Sequence, residues 1–165
     1  MARGSPRPDD STLVFDAMHR RDVPAVSAIE RVSFPTPFPP RVYRAVLADP
    51  AARWRVARCA DRSSIAGYVG WFLAPDARAH LAKIAVAPAW RRRHVGDRLL
   101  RHTLDTAAHE GAELLTLEVR VTNTPALAFY RKWGFAELYR SPAHYPDTGE
   151  DGLILAHTII PPRSG

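Results

Sequence analysis

The sequence predicts an α/β fold, a mixed sheet with helices packed on both of its sides. Two observations carry this expectation. Apolar residues alternate with period two in about seven short segments and recur at helical spacing in others. The segments run in the order strand, two helices, three strands, helix, strand, helix, two strands, a meander followed by a βαβα unit. A third observation sets the scale. With 165 residues, 46% of them hydrophobic, the chain can build one sizeable core, whereas two domains would each be marginal. One domain over residues 12–161 is expected, preceded by a flexible tail over residues 1–11.

The elements follow in order. Residues 13–18 alternate as a first strand. Asp22 stands as an N-cap, with Pro24 in the first turn, for a helix to about Arg31 whose buried face is Val23, Val26, Ile29 and Val32. Prolines 35, 37, 39 and 40 force a loop. A short helix follows, with Val42, Tyr43, Val46 and Leu47 on its apolar side. Residues 54–59, 65–73 and 79–86 read as strands, joined by turn residues at 61–64 and at Pro75 and Asp76. From Arg92 to Glu110 the period changes, with Val95, Leu99, Leu100, Leu104, Ala107 and Ala108 on one stripe and Gly111 as the C-cap glycine. Residues 114–121 form a strand. A helix over residues 124–133 has Pro125 in its first turn and Gly134 after it. Residues 137–140 and 153–159 close as strands.

Composition excludes several classes. No apolar run approaches the roughly 18 residues that span a bilayer, so no membrane partner is expected. The polar, proline-rich start gives no secretory signal. Cys59, the lone cysteine, sits among alternating apolar residues and reads as a core thiol, for want of a positioned base. A reducing, cytoplasmic location is expected, with a monomer or weak dimer. The histidines offer no pair at metal spacing on one element with a third ligand, so no metal is expected. The net charge of +6 suggests an anionic partner, with nucleic acid, a membrane or a phosphorylated cofactor as the candidates.

The most informative segment is residues 84–100. A strand containing Ile84, Ala85 and Val86 ends, Pro88 stops it, Arg91, Arg92 and Arg93 follow, and a helix opens near His94, Val95, Gly96 and Asp97. The first N–H groups of a helix lack partners and sit at its positive end, which makes an anion site. The segment resembles motif A of the GCN5-related N-acetyltransferases, whose pattern is Q/R-x-x-G-x-G/A, with Arg91 and Gly96 in the outer positions. The resemblance implies that this turn holds the pyrophosphate of acetyl-coenzyme A. It also implies that Ile84, Ala85 and Val86 lie along the thioester and pantetheine, their N–H groups near the developing oxyanion. His94 stands where the family's middle glycine usually sits, and its Cβ fits only if its φ is permitted.

Residues 117–135 resemble motif B of the same family: a strand, Asn123, and an alanine-rich helix ending in aromatic-x-x-x-G-F. They are similar in particular to the RimI branch, the ribosomal-protein alanine N-acetyltransferases. That branch shares L-E-V-R-x-x-N and a tyrosine twelve residues after the glutamate, as Glu118 and Tyr130 are here. The likeness spans about residues 12–160. It implies a mostly antiparallel sheet of about seven strands, Glu118 as general base through a water, Tyr130 as acid for the leaving thiolate, and Asn123 as a cofactor contact. Each has a plainer reading: Glu118 as a surface partner of arginine, Tyr130 as helix-to-sheet packing with Phe129 and Trp133, Asn123 as an N-cap.

The chemistry favours an α-amine acceptor. Freeing an α-amine of pKa near 8 of its proton at pH 7 costs roughly 1.4 kcal/mol, against roughly 4.6 for a lysine. By family resemblance the acceptor groove lies between residues 34–40 and 141–151, both read as loops, with Phe34, Phe38 and Tyr145 as candidate substrate contacts. Relatives often have two adjacent tyrosines in the second loop, and here His144 replaces the first. The expected partner is a protein or peptide N-terminus, a ribosomal protein among the candidates. A polyamine, aminoglycoside or lysine acceptor is the alternative, for which Glu150 and Asp151 would serve. A non-enzyme alternative is a basic module docking ribosomal RNA.

Overall fold

The computed structural model describes residues 13–160, so the expected tail over residues 1–11 lies outside the described residues. The strands are β1 (Leu13–Ala17), β2 (Ala52–Cys59), β3 (Ile65–Leu73), β4 (Arg78–Val86), β5 (Leu114–Arg120), β6 (Ala136–Tyr145) and β7 (Glu150–Thr158). They form one sheet in the order β1-β2-β3-β4-β5-β7-β6, parallel at β4–β5 and antiparallel elsewhere. The helices are α1 (Val23–Ser33), α2 (Pro40–Val46), α3 (Val95–His109) and α4 (Thr124–Lys132). The mixed seven-stranded sheet with helices on both sides is the architecture that the segment order implies.

Each face of the sheet carries its own apolar cluster. One gathers Trp71, Leu81, Leu99, Leu100, Leu115, Leu117 and Tyr130 beneath α3 and α4. The other gathers Val26, Ile29, Tyr43, Trp54, Val56 and Tyr68 beneath α1 and α2. Alternation along β5 divides the two: Leu115, Leu117 and Val119 are buried toward α3 and α4, so Thr116 and Glu118 point to the opposite face. Cys59 is buried in the first cluster.

Four sequence readings need correction. The third helix begins at Val95, not Arg92, because Arg92 and His94 have φ of 62° and 58°, outside the helical region. Val32 is 60% exposed rather than part of the buried face of α1. Asp22 occupies the N-cap position of α1 without capping it; its carboxylate accepts from the His19 N–H at 2.9 Å and from buried Arg58 at 2.9 Å. Residues 141–151 are not a loop: β6 continues to Tyr145, β7 starts at Glu150, and a bulge in β6 between Ser141 and Tyr145 absorbs the irregularity. A proline and a positive-φ alanine in that stretch disguised the strand.

Candidate active site

The site is a split in the sheet. The β4–β5 ladder covers only Arg78↔Leu114 to Leu81↔Leu117. In the β3–β4 ladder Gly70 pairs with Lys83 and Trp71 with Leu81, which leaves Ala82 as a bulge at the point where β4 and β5 part. A bulge bends its strand and raises its twist, so β4 turns away from β5 and the edge of residues 82–86 that faces β5 has no ladder partner. Gly70 lets the bulge close against Trp54: a Cβ on Gly70 would lie 2.3 Å from the indole.

One side of the split is made of backbone. After Val86 a 3-10 turn (Pro88–Trp90) and residues 91–94 lead into α3. The Arg91 Nε donates to the Val86 carbonyl at 3.2 Å and its Nη2 to Ser33 Oγ at 3.3 Å, which ties the turn to β4 and α1. Arg93 lies over the Trp90 ring at 5.3 Å. His94 takes φ 58° and ψ 20°, the left-handed conformation that glycine adopts most cheaply and that histidine enters more readily than most residues. The Cβ is therefore accommodated by the backbone, and the first-turn N–H groups of α3 stay available to an anion. Val95 is buried and anchors the helix start from within.

Gly96 gives an independent measure of fit to a phosphorylated ligand. A Cβ there would lie 3.7 Å from Phe129 and 3.8 Å from Val86, ordinary van der Waals distances. Nothing within the chain demands glycine at this position, and its lack of a side chain leaves the backbone there open to close approach. Asp97 points elsewhere. Its carboxylate accepts from Lys132 Nζ at 2.7 Å and Trp133 Nε1 at 2.8 Å, and meets His94 Nδ1 at 3.2 Å. Partial burial works to raise its pKa, but these three partners outweigh it and hold the carboxyl below its usual range. Asp97 thus clasps α3 to the end of α4, and its carboxylate is not the group that an anion would meet. Asn123 caps α4, its Oδ1 accepting from the Ala126 N–H at 3.3 Å.

The other side of the split is made of charged and aromatic side chains from distant parts of the chain. Glu118 Oε2 meets His144 Nε2 at 2.9 Å, and Glu118 Oε1 lies 4.0 Å from His80 Nε2. Tyr145 stacks against the Arg120 guanidinium at 4.0 Å. Arg120 also donates to Asp147 at 2.8 Å and to Thr148 at 3.0 Å, and Thr36 Oγ1 donates to Asp147 at 2.7 Å. The α1–α2 loop and the β6–β7 turn therefore meet across this face. Burial raises the Tyr145 hydroxyl, and the Glu118 charge raises it further. A concavity of about 470 Å³ continues the face past His80 and Thr116, toward the β3–β4 turn.

Phe34 and Phe38 pack in part against the apolar cluster beneath α1 and α2. Both rings close on Lys83, whose Nζ lies 3.8 Å and 4.2 Å from their centroids. Lys83 pairs at 2.9 Å with Glu30, which is fully buried and also accepts from Phe38 N–H and from the Tyr43 and Tyr68 hydroxyls. Burial works to raise the Glu30 pKa, but these donors more than offset it and hold the carboxyl below its ordinary range. The cluster fixes both aromatic rings beside the start of α2. Sequence reasoning missed Glu30, Lys83, His80, Arg120 and Asp147. Glu30 left a signal, an acid beside Ile29 and four residues after Val26 on the apolar stripe of α1; the others left none.

Tyr130 lies in α4 among Phe129 and Phe135, on the opposite face of the sheet from Glu118. Burial pushes its hydroxyl well above the ordinary phenol range, so it remains a donor. Among the described residues no group of three or more His, Cys, Asp and Glu side chains could hold a metal ion. Among the same residues no helix is long and apolar enough to cross a membrane.

Comparison with known proteins shows the family to which the chain belongs. The acetyltransferase (GNAT) family model matches residues 23–135. The chain belongs to that family. It is an N-acetyltransferase, and acetyl-coenzyme A is its acyl donor. It is 34% identical over 144 residues to a Bacillus subtilis protein provisionally named ribosomal protein bS18-alanine N-acetyltransferase, covering 86% of this chain and 93% of that one. It is 31% identical over 152 residues to the N-alpha-acetyltransferase RimI of Mycobacterium tuberculosis, covering 89% and 93%. The crystal structure of the ribosomal-protein-S18-alanine N-acetyltransferase from Escherichia coli superposes with a TM-score of 0.80 at 25% identity, over 93% of this chain and 98% of that one. Family membership as an enzyme removes the non-catalytic RNA-docking alternative.

Proposed function

We propose that the chain, as one domain over residues 12–161, acetylates the N-terminal α-amine of a protein or peptide, a ribosomal protein being the first candidate. The observation that carries this reading is the presentation of exposed Glu118 on β5 immediately past the end of the β4–β5 ladder. The relatives named for α-amino acetylation give the same direction. The unpaired edge of Ile84, Ala85 and Val86 would lie along the thioester arm. The Arg91, Arg92, Arg93 and His94 turn, with the N–H groups of Val95, Gly96 and Asp97, would hold the phosphates, and Asn123 would face the arm from the start of α4. The acceptor would enter from the other face along Tyr145 and the wall that Phe34 and Phe38 form on Lys83.

Glu118 takes a proton from the acceptor ammonium through a water, and the freed amine attacks the acyl carbon. Tyr130 stands at the departing sulfur. Full transfer from a phenol raised by burial to a thiolate of pKa near 8.5 runs uphill. Tyr130 therefore acts first by donating a hydrogen bond to the developing charge and gives up its proton late, and the second proton lost by the amine nitrogen restores it. The polyamine alternative fares worse on geometry. Of the carboxylates it would need, Glu150 is held by Arg120 and Thr122, and Asp151 by Arg140 and the Ala143 N–H.

The test is coenzyme A release with acetyl-coenzyme A and a panel of acceptors: peptides with free Ala, Ser or Met N-termini, a blocked peptide with an internal lysine, and spermidine. Transfer confined to free N-termini is expected. Glu118→Gln is expected to lower kcat about 10²- to 10⁴-fold without changing acetyl-coenzyme A binding. Transfer to spermidine or lysine alone would overturn the acceptor assignment.

A further inference from the structure

Two residues beyond Glu118, β5 ends in Arg120. We propose that Arg120 is a positioning residue for the acceptor: it holds Tyr145 and the β6–β7 turn against the α1–α2 loop, and so sets the groove through which the amine reaches Glu118. This rests on the reading of that groove as the acceptor's path.

Alternation places Arg120 on the same face of β5 as Glu118, away from α3 and α4, about 7 Å further along the strand. Its guanidinium is engaged on both its flat face and its edge. Over the face lies Tyr145, with 4.0 Å between Arg120 Cζ and the ring centroid. A planar, weakly hydrated guanidinium makes this stack better than an ammonium does. At the edge, Nη2 donates to Asp147 at 2.8 Å, and Nη1 donates to Thr148 at 3.0 Å and to Glu150 at 3.4 Å. Asp147 and Thr148 belong to the turn, and Glu150 opens β7. Both carboxylates are anchored a second time. Thr36 Oγ1, from the α1–α2 loop, donates to Asp147 at 2.7 Å, and the Thr122 N–H and hydroxyl donate to Glu150. Tyr145 in turn meets the His144 ring edge-on at 5.0 Å, and His144 Nε2 meets Glu118 at 2.9 Å. One side chain thus fixes Tyr145 relative to Glu118 and, through Asp147, relative to the loop on the far side of the groove.

With its edge given to two carboxylates and a hydroxyl and its face to Tyr145, Arg120 orders the groove and does not itself grip the acceptor. Asp147 and Glu150 bring two negative charges to one guanidinium. Without the guanidinium these carboxylates repel each other across the root of the turn. The turn then opens, Tyr145 loses the cation on which it stacks, and Asp147 no longer presents a fixed acceptor to Thr36. The damage stays local. Arg120 and Asp147 are 18% and 31% exposed, and the main apolar cluster lies on the other face of the sheet. Its partners lie in the α1–α2 loop, at Thr122 and in the β6–β7 hairpin, whereas the turn proposed for the cofactor is built from residues 84–97. A groove that shapes acceptor binding before chemistry acts on the KM of the acceptor rather than on kcat.

The experiment is steady-state kinetics of Arg120→Met and Arg120→Lys with acetyl-coenzyme A and a short peptide beginning with Ala, alongside amide hydrogen exchange over residues 145–150. In Arg120→Met the KM for the peptide is expected to rise about tenfold, equivalent to about 1.4 kcal/mol. Its kcat should stay within about threefold and its KM for acetyl-coenzyme A should be unchanged. The turn amides should exchange faster while the melting temperature holds within a few degrees. Arg120→Lys keeps the charge without the planar fork, so its peptide KM should lie between the two. Asp147→Asn should raise the peptide KM in the same direction, and adding it to Arg120→Met should change little, since both act through one contact. An unchanged peptide KM in Arg120→Met would overturn the proposal. So would a variant in which kcat, both KM values and the melting temperature all worsen together, the mark of a merely structural residue. Tyr145→Ala separates the two levels. An unmoved peptide KM there sinks the acceptor path itself, whereas a raised one beside an unaffected Arg120→Met sinks the role of Arg120 alone.

Discussion

The two sides of the split are built by different means. The donor side comes from one stretch, residues 84–97, and presents chiefly backbone: a strand edge, a turn with two left-handed residues and a helix start. The acceptor side is assembled from side chains far apart in sequence. Thr36 bonds to Asp147 across 111 positions, His80 to Thr116 across 36, and Glu118 to His144 across 26. A diphosphate offers the same charge and shape whatever the acceptor, so backbone N–H groups suffice to bind it. An acceptor differs from its competitors in side chains and protonation, and side chains must tell them apart. The donor side should therefore tolerate substitution structurally and fail by losing its ligand, whereas the acceptor side should fail by losing its own order.

Glu30→Gln is the strongest test of that contrast. It changes one oxygen to an amide nitrogen within the acceptor wall and leaves Lys83 without its anion. Removing one member of a buried ion pair costs about 3–5 kcal/mol, so a large fall in melting temperature is expected. Its pH dependence has a definite sign. The folded pKa of Glu30 is depressed. Its contribution is therefore fully present above the ordinary carboxyl range and is lost as pH falls through the folded value. The gap in stability between the intact chain and Glu30→Gln should narrow on acidification. A gap that held constant or widened would show that the charge on Glu30 is not what orders the wall.

Gly96→Ala tests the donor side with a smaller effect. The added methyl meets only Phe129 and Val86 at ordinary distances, and replacing a helical glycine gains up to about 1 kcal/mol. Thermal stability should hold or rise while the Kd for coenzyme A, by calorimetry, weakens about tenfold, equivalent to about 1.4 kcal/mol. A variant that lost stability and kept affinity would reverse the contrast. The smallest effect is expected from His94→Gly. Glycine relieves the left-handed strain but widens the unfolded ensemble, and the two nearly cancel, leaving a net change below about 1 kcal/mol in chemical denaturation. A loss well beyond that would mean that the His94 ring, through Asp97, matters more than its backbone.

The same division explains what was readable beforehand. The order of strands and helices, the stripe on α3 and the positive-φ glycines at 111 and 134 follow from local periodicity and turn chemistry. The strand end, basic turn and helix start of the proposed donor turn could be read together because they are contiguous. The start of α3 was misplaced by three residues because arginine and histidine at positive φ carry no sequence mark that distinguishes them from helical residues. Asp22 shows a related limit: it has the residue type and place of a cap, yet buried Arg58 and the His19 N–H claim its carboxylate. The contact of Phe34 and Phe38 with Lys83 depends on a fold that brings β4 under the α1–α2 loop.

The sequence by itself determined the element order and the mixed sheet, because hydrophobic period and capping residues act over one or two turns of chain. The tertiary structure alone decided that β4 and β5 part after Leu81 and Leu117, that Glu30 and Lys83 are buried as a pair, and that His144 reaches Glu118 over Gly152. Those outcomes depend on register between strands and on which side chain faces an absent one. Neither is encoded in any local stretch of sequence, since register is fixed only when the whole sheet has assembled.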